Sequence, residues 1–322
     1  MCKAASRSNK AMLPATVQVD VDGLGILLAH HGLPDSDEPD FILSTALPRF
    51  ASLFARHGVT ATFFVVGRDL TDPHKAELLR SLVQAGHEVG NHTMSHPAAF
   101  SALGRQAQEA EVRECEGWCA SKLGVTPVGF RAPNYDVDTG TLEVLRRLGY
   151  KYDSSVLPMP YAPLLRWCSV RIAGGRRRPG RYLGRARYGL APLRPYTPAA
   201  DSVWRRGAGG ITEVPITTMP FLRLPFHASF NLAWRSLGGG DVLFRIGYGW
   251  ARRHGLPLNF VFHACELADV PPDDRLRRHW GLYLPLAERL ASAEAMLAAI
   301  VQDYEVMPTC RLVERLEGER RG

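Results

Sequence analysis

No run of eighteen or more apolar residues occurs in the 322-residue chain, so the sequence offers no membrane-spanning helix. The opening residues, MCKAASRSNKAMLPATVQVD, carry positive charge but no apolar run ahead of the first predicted strand, unlike a secretory leader. Cysteine is sparse and scattered: Cys2, Cys115, Cys119, Cys168, Cys265 and Cys310. Cys115 and Cys119 share a predicted helix with no second pair nearby, so neither a disulfide scaffold nor a structural zinc site is expected; buried or idle thiols are. Together these absences give an expectation of cytoplasmic residence, with peripheral contact at the inner face of a membrane as its variant. There is no internal repeat, no glycine-rich phosphate loop and no helix-turn-helix signature, and nucleic acid is not an expected partner.

Acid is missing from one place in particular. Between Leu164 and Ala199 nine arginines (Arg166, Arg171, Arg176, Arg177, Arg178, Arg181, Arg185, Arg187 and Arg194) occur without one Asp or Glu, and their charge exceeds the +7 of the whole chain. Trp167, Tyr182, Tyr188 and Tyr196 are interleaved, and the apolar stretch VLPMPYAPLLRW precedes them. Such a composition suits phosphate groups or an anionic membrane; a solvated loop is the alternative.

Outside this segment strands and helices alternate. TVQVDV and VTATFFVVG read as strands, STALPRFASLFARHG as a helix stopped by Gly58, and DPHKAELLRSLVQAGH as a helix entered through Asp72 and Pro73. A long helix over 102–123, short strands in VGFRAP and KYDSS, and a helix in TGTLEVLRRLGY follow. Residues 156–210 break the rhythm and read as an Arg/Pro/Gly-rich insertion. Beyond it come the strand GITEVPI, helix near 228–254 interrupted at LGGGD, the strand PLNFVFHAC, helix over 285–302, the strand YEVMP and a last helix. The expected fold is α/β: a distorted (β/α) barrel of about seven units, a single domain spanning 16–317 between short tails at 1–15 and 318–322. In such a barrel functional side chains collect at the C-terminal strand ends.

Two patterns at those ends carry chemistry. Asp20 and Asp22 in VQVDVDGLG are two apart, so on a strand they share a face, and paired carboxylates there call for a cation or a proton between them. Gly23 and Gly25 fit a backbone turning tightly beside them. In HEVGNHTMSHP, His92 and His96 stand four apart, a spacing that faces both imidazoles the same way on a helical turn. Asp22 with His92 and His96 makes a two-histidine, one-carboxylate set for a divalent metal: zinc, cobalt, nickel or iron.

The order VDVD, HTMSH, FRAPNY, YDSS and NFVFH, with GVTATFFVVG and AGHEVGNHTMSHP around the second motif, resembles the polysaccharide deacetylase family, also called carbohydrate esterase family four or the nodulation-factor deacetylase homology domain. Val21 between the two aspartates places it with the DxD form. The resemblance implies a distorted barrel and metal-assisted hydrolysis of an N-acyl group on an amino sugar, with zinc as the expected ion. It implies Asp20 as general base, Asp22, His92 and His96 as ligands, and Arg131 as the arginine holding the base. Tyr135 matches the motif's aromatic, and a backbone amide near Asn134 and Tyr135 is the implied oxyanion donor. Asp153 is implied as the acid orienting the catalytic histidine, and His263 as the general acid. Among other histidines, His30 and His31 are candidates to line the cleft, His87 to cap a strand, and His57, His74, His227, His254 and His279 to lie at the surface or in packing. Glu266 is a candidate for the pocket rim.

The leading function is therefore a metal-dependent carbohydrate N-deacetylase, with a lipid- or phosphate-linked amino sugar among its substrates. Alternatives are a deformylase of a polyprenyl-phosphate-linked sugar, an amidohydrolase of a small non-sugar amide or imide, and a catalytically dead polyanion-binding protein. The lack of a secretory leader turns the expectation away from chitin and mature peptidoglycan.

Overall fold

The protein is described from a computed structural model, which covers residues 12–35, 39–161, 164, 185–269, 276, 279, 282 and 284–321. Eight parallel strands form its main sheet: β1 (Leu13–Val21), β2 (Thr62–Val65), β3 (Glu88–Asn91), β4 (Gly129–Phe130), β5 (Tyr152–Asp153), β8 (Thr212–Glu213), β9 (Leu258–His263) and β10 (Tyr304–Val306). The order is β10-β1-β2-β3-β4-β5-β8, and β9 pairs with β1. β6 (Pro198–Ala199) and β7 (Ser202–Arg206) form a separate antiparallel ribbon. The curl leaves β8 and β9 without a mutual ladder among the described residues. Asn259 spans the gap, its Nδ2 donating to the carbonyls of Val214 and Pro215 at 3.1 and 3.3 Å. This is the expected distorted barrel.

Why the sheet curls around a polar interior is visible in β1. Ala15, Val17, Val19 and Val21 pack outward into the main apolar core, while Thr16, Gln18 and Asp20 alternate with them. The inward three are all buried, so each needs a partner. Thr16 and Gln18 bond Thr309, and Gln18 and Asp20 bond Arg131. Outside the sheet, α2 (Phe41–His57) lays Phe50 and Phe54 against Phe262 and Phe63, with ring centroids 5.5 and 5.9 Å apart. Asp40 caps α2 through the amides of Ile42 and Leu43, and Gly58 ends it in the left-handed region at φ 62°. The helix starts three residues before the sequence pattern suggested because that cap is upstream of the periodic residues. α3 (Pro73–Gln84) begins as expected, with Asp72 as cap and Pro73 in the first turn. α1 (Leu24–His30), α4 (Arg105–Leu123) and α5 (Thr139–Arg147) complete the first half; α6 (Ala228–Ser236), α7 (Val242–Arg253), α8 (Leu286–Asp303) and α9 (Thr309–Arg321) belong to the second. Cys115 and Cys119 are buried free thiols on α4.

The 156–210 segment is not a simple excursion. Tyr188, Ala191, Tyr196 and Val203 are buried in one cluster with Phe130, Val137, Leu142 and Tyr150, so its described part builds the barrel wall. Six of the nine arginines lie outside the described residues. The other three are engaged by the protein itself: Arg185 with Asp138 and Ser101, Arg187 over the Trp204 ring, and Arg194 with the His254 carbonyl. Pro158 and Met159 are buried, whereas Pro160, Tyr161 and Leu164 are exposed.

Candidate active site and metal centre

Asp20 stands at the C-terminal end of β1, in register with Phe64 of β2 and His263 of β9. The strand ends at Val21, and Asp22 projects into the turn toward α1. That turn is held from behind: Asp40 Oδ2 accepts from the Leu24 amide at 3.0 Å, and Lys75 Nζ bridges Asp40 and Asp69 at 2.9 and 2.7 Å. A Cβ at Gly23 would come within 2.4 Å of Asp40 Oδ2, while its φ of −77° is ordinary. Crowding, rather than the tight turn expected, is what calls for glycine there.

His92 and His96 do not share a helical turn. β3 stops at Asn91, and the HTMSH residues form a loop in which Thr93 (φ 68°) and His96 (φ 54°) are left-handed. The loop is fixed locally: the Thr93 amide donates to Asn91 Oδ1 at 2.8 Å and the His96 amide to Thr93 Oγ1 at 3.1 Å. Its backbone also receives the amides of Gly67 and Arg68, at the Thr93 and Met94 carbonyls. Two non-glycine residues in that region cost strain, which such over-determined loops at functional sites hold in place. The product is the juxtaposition that a helix was expected to give. The two rings lie 4.9 Å apart, and each Nε2 is 3.6 Å from Asp22 Oδ1.

This donor set fits a divalent ion. One ligand atom from each of Asp22, His92 and His96 lies within 4.8 Å of the others. His92 Nδ1 donates to the Arg131 carbonyl at 2.8 Å, which leaves Nε2 as the lone-pair nitrogen. Burial pulls both imidazoles down to about 4, so they are neutral ligands near pH 7. Asp22 Oδ1 is buried without a hydrogen-bond partner among the described residues, an arrangement costly in a protein interior unless a cation completes it.

The second half of the site is built on Arg131, wholly buried at the end of β4. Its guanidinium donates to Asp20 Oδ1 at 2.5 Å, to Gln18 Oε1, and to the carbonyl and hydroxyl of Ser154 at 2.8 and 3.1 Å, over the face of Phe64. Burial works to raise the Asp20 carboxyl, but Arg131, with His263 and His92, outweighs it and holds the group below the usual range. Asp20 Oδ2 is left facing His263 Nε2 at 3.5 Å. Tyr135 presents its hydroxyl to the same nitrogen at 3.5 Å. Its ring belongs to an apolar wall with Leu157, Met159, Ile216 and Val261. Asn134 and Tyr135 are both left-handed, yet the Tyr135 amide donates to the Ala132 carbonyl at 3.1 Å. That amide is therefore already engaged.

Asp153 is also reassigned. It is buried, accepts from Ser155 Oγ at 2.5 Å and lies beside Glu213 across the β5–β8 pair. The acid at His263 is Glu266, 3.4 Å from Nδ1, with Ser229 Oγ at 3.1 Å from the same nitrogen. Glu266 is fully buried rather than on a rim. Burial alone would lower His263, but Glu266 and Asp20 push it up to about 9. His227, expected at the surface or in packing, is buried at the site: it is 3% exposed, 6.3 Å from the His263 ring, and neither nitrogen has a partner among the described residues. Burial takes it to about 3, so it is a neutral donor and acceptor facing the reacting groups. His31 and His279 meet at 3.1 Å, with His30 edge-on to both, so of the surface or packing places expected for His279 it takes packing. His87 accepts from the Ala61 amide at 3.1 Å beside β3, close to its expected role.

Residues 36–152 match the sequence profile of the polysaccharide deacetylase family. A peptidoglycan deacetylase of Helicobacter pylori is 30% identical over 151 residues, 45% of this chain and 50% of that protein. A chitooligosaccharide deacetylase of Sinorhizobium fredii is 46% identical over 67 residues, 21% of this chain and 30% of that one. The chain thus matches half the length or less of these relatives. A crystal structure from Mycobacterium smegmatis, described as a polysaccharide deacetylase, superposes with a TM-score of 0.60 at 19% identity, covering 99% of this chain and 96% of the other. That likeness extends the shared fold over the whole chain.

Proposed function

We propose that the chain, whose residues 36–152 match the polysaccharide deacetylase family, is a metal-dependent hydrolase that removes an N-acetyl group from an amino sugar in a glycan. The observation carrying this reading is the meeting, at one barrel mouth, of the Asp22–His92–His96 donor set with a charged pair of opposite character, Asp20 and His263. Zinc suits two neutral imidazoles and one carboxylate. Such an ion supplies Lewis acidity to the acyl carbonyl and to water.

The chain's own residues divide the proton work. Asp20, ionised and anchored through Oδ1 by Arg131, accepts a proton from the attacking water at Oδ2. The water oxygen bonds the acyl carbon, the carbon–nitrogen bond breaks, and His263 gives its Nε2 proton to the departing amine. Acetate and the free amino sugar result. Each transfer contributes roughly 10²–10⁴-fold. The apolar wall beside Tyr135 suits a small acyl methyl, and His227 offers one donor and one acceptor to a sugar hydroxyl.

The names of the relatives return peptidoglycan and chitooligosaccharides to the substrate range, which the leader argument had set aside. A phosphate-linked sugar and contact with an anionic membrane rest on the arginine segment, whose three described members already have partners in the protein. The test is acetate and formate release from chitooligosaccharides, peptidoglycan fragments, lipid-linked N-acyl sugars and small cyclic amides, before and after chelation and with zinc restored. Chelator-sensitive acetate release from the glycan arms is expected. Release confined to the cyclic amides, or unaffected by chelation, would overturn the reading.

A further inference from the structure

We propose that Glu266, acting through Ser229, is the positioning residue for His263, fixing its ring and keeping the Nε2 proton toward the departing amine. This rests on the deacetylase reading for its chemistry, though not for its geometry.

The argument begins with one hydrogen. Ser229 has a single hydroxyl proton, and its Oγ donates it to Glu266 Oε1 at 2.5 Å. The oxygen can then only accept at its 3.1 Å contact with His263 Nδ1, so Nδ1 must carry a hydrogen. The chain runs Nδ1–H to Oγ–H to carboxylate. It sets the ring plane and leaves Nε2 as the nitrogen that gains and loses a proton, on the side of Asp20 Oδ2 and the Tyr135 hydroxyl.

The relay is rigidly mounted. β9 ends at His263 and rolls into a 3-10 turn, Ala264–Leu267, whose spacing returns Glu266 beneath the histidine three residues earlier. Arg289 of α8 is wholly buried and clamps that turn, donating to the carbonyls of Cys265, Glu266 and Ala268 at 3.1, 2.8 and 2.8 Å. These bonds occupy the backbone and leave the carboxylate to Ser229 and His263. Ser229 comes from the first turn of α6, so the relay joins three separate elements. Asp153, to which the resemblance gave this role, accepts from Ser155 and lies beside Glu213 instead.

The groups facing His263 are Asp20 and Asp22 from β1 and the turn after it, Tyr135 from the turn after β4, His227 and Ser229 from α6, Glu266 from its own turn, and His96 from the ligand loop. Against burial, the carboxylates raise His263 to about 9, which keeps it an imidazolium near pH 7. After transfer it is a neutral imidazole with its Nδ1 hydrogen still on Ser229. Glu266 takes no proton; its charge compensates the cation, and its bond direction sets the tautomer.

Histidine-selective nitrogen NMR on the zinc-loaded protein, alongside kinetics, tests this. Glu266→Gln can keep the Ser229 bond but lacks the charge. The His263 titration is expected to fall by about one unit or more, the shift an opposite charge within ~4–6 Å supports. kcat is expected to fall about 10–100-fold with KM little changed, less than removing the acid itself. The basic limb of the pH–rate profile should move down with the titration. Ser229→Ala should scramble the Nδ1–H signature with a smaller loss, and it serves if the Gln variant folds poorly. Asp153→Asn should leave the His263 titration where it is. A His263 titration unmoved in Glu266→Gln, or one that moves in Asp153→Asn instead, overturns the proposal. Inactivity of the wild type on every substrate would overturn the deacetylase reading, while the NMR titration would still decide for or against Glu266.

Discussion

His92, His96 and His263 stand at the barrel mouth, and their surroundings treat these three in opposite ways. On the ligand side, His92 and His96 sit in the loop after β3, where desolvation of their rings dominates and both are driven to about 4. Across the mouth His263 is as deeply placed, yet it is driven to about 9. The side chains are chemically identical; what differs is the placement of acid. Asp22 is shared between two imidazoles, and its own carboxyl is raised, burial first and Asp20 adding to it. His263 instead has a carboxylate at each nitrogen, Asp20 held down by Arg131 on one side and Glu266 on the other. One environment suits metal ligands and the other a proton donor, so the proposed roles follow acid count and anchoring rather than residue type.

Breaking the ligand side should have the largest effect. His92→Ala or His96→Ala removes one of three ligands, and kcat/KM is expected to fall ~10³-fold or more, since the several kcal/mol an ion supplies correspond to that factor. Metal analysis of the purified variants, with circular dichroism as the folding control, checks it; full occupancy would reject the ligand assignment. Breaking the proton side should cost somewhat less and spare the metal. Asp20→Asn and His263→Ala are each expected to lose roughly 10²–10⁴-fold in kcat, with metal content at the wild-type level.

Arg131 sharpens the contrast because it anchors the acid rather than the histidine. Arg131→Met leaves Asp20 buried beside no guanidinium and is expected to destabilise by about 3–5 kcal/mol, readable by urea unfolding. Asp20 then loses the partner that lowers it, so the acid limb of kcat/KM should move to higher pH. Unchanged stability and an unmoved limb would mean that Gln18 and Ser154 suffice. The smallest effect is in stability against pH for the chelated protein. His92 and His96 have folded values near 4 against 6.5 unfolded, so the unfolded chain takes up protons first as pH falls. Their contribution is present above 6.5 and lost as pH drops toward 4; His263, raised to about 9, contributes below 6.5 and loses it as pH rises through 9. Thermal melts should therefore weaken on both flanks. Replacing both ligand histidines should flatten the acid flank alone.

Much of this site was legible because its residues sit on short local signals. The alternation of β1 fixed Asp20 on the inner face, and strand ends collected Arg131 and His263 where a barrel needs them. The helix assigned to HTMSH failed for a definite reason: a spacing of four describes which residues converge, and a loop with Thr93 and His96 left-handed converges them as well as a helix. Glu266 had a usable signal, an acid three residues past a strand-end histidine in an apolar turn, but its importance depends on Ser229 arriving from α6. His227 carried no signal at all. Its burial follows from α6 packing on β9, a contact between elements that no local window contains. The insertion misled in the other direction, since its arginines hid the core-forming Tyr188, Tyr196 and Val203.

The β1–β9 register, Ala15 with Leu258 through Asp20 with His263, also governs how the molecule comes into being. During synthesis all three metal ligands emerge within the first hundred residues, whereas the strand that completes β1 emerges some 240 residues after it. Until then the ladder of β1 with β9 is unmade, an open template for pairing with another chain. The proposed ligand set can therefore assemble in the nascent protein long before His263 reaches Asp20, and the closing step is a late, long-range contact of the kind that folds slowly.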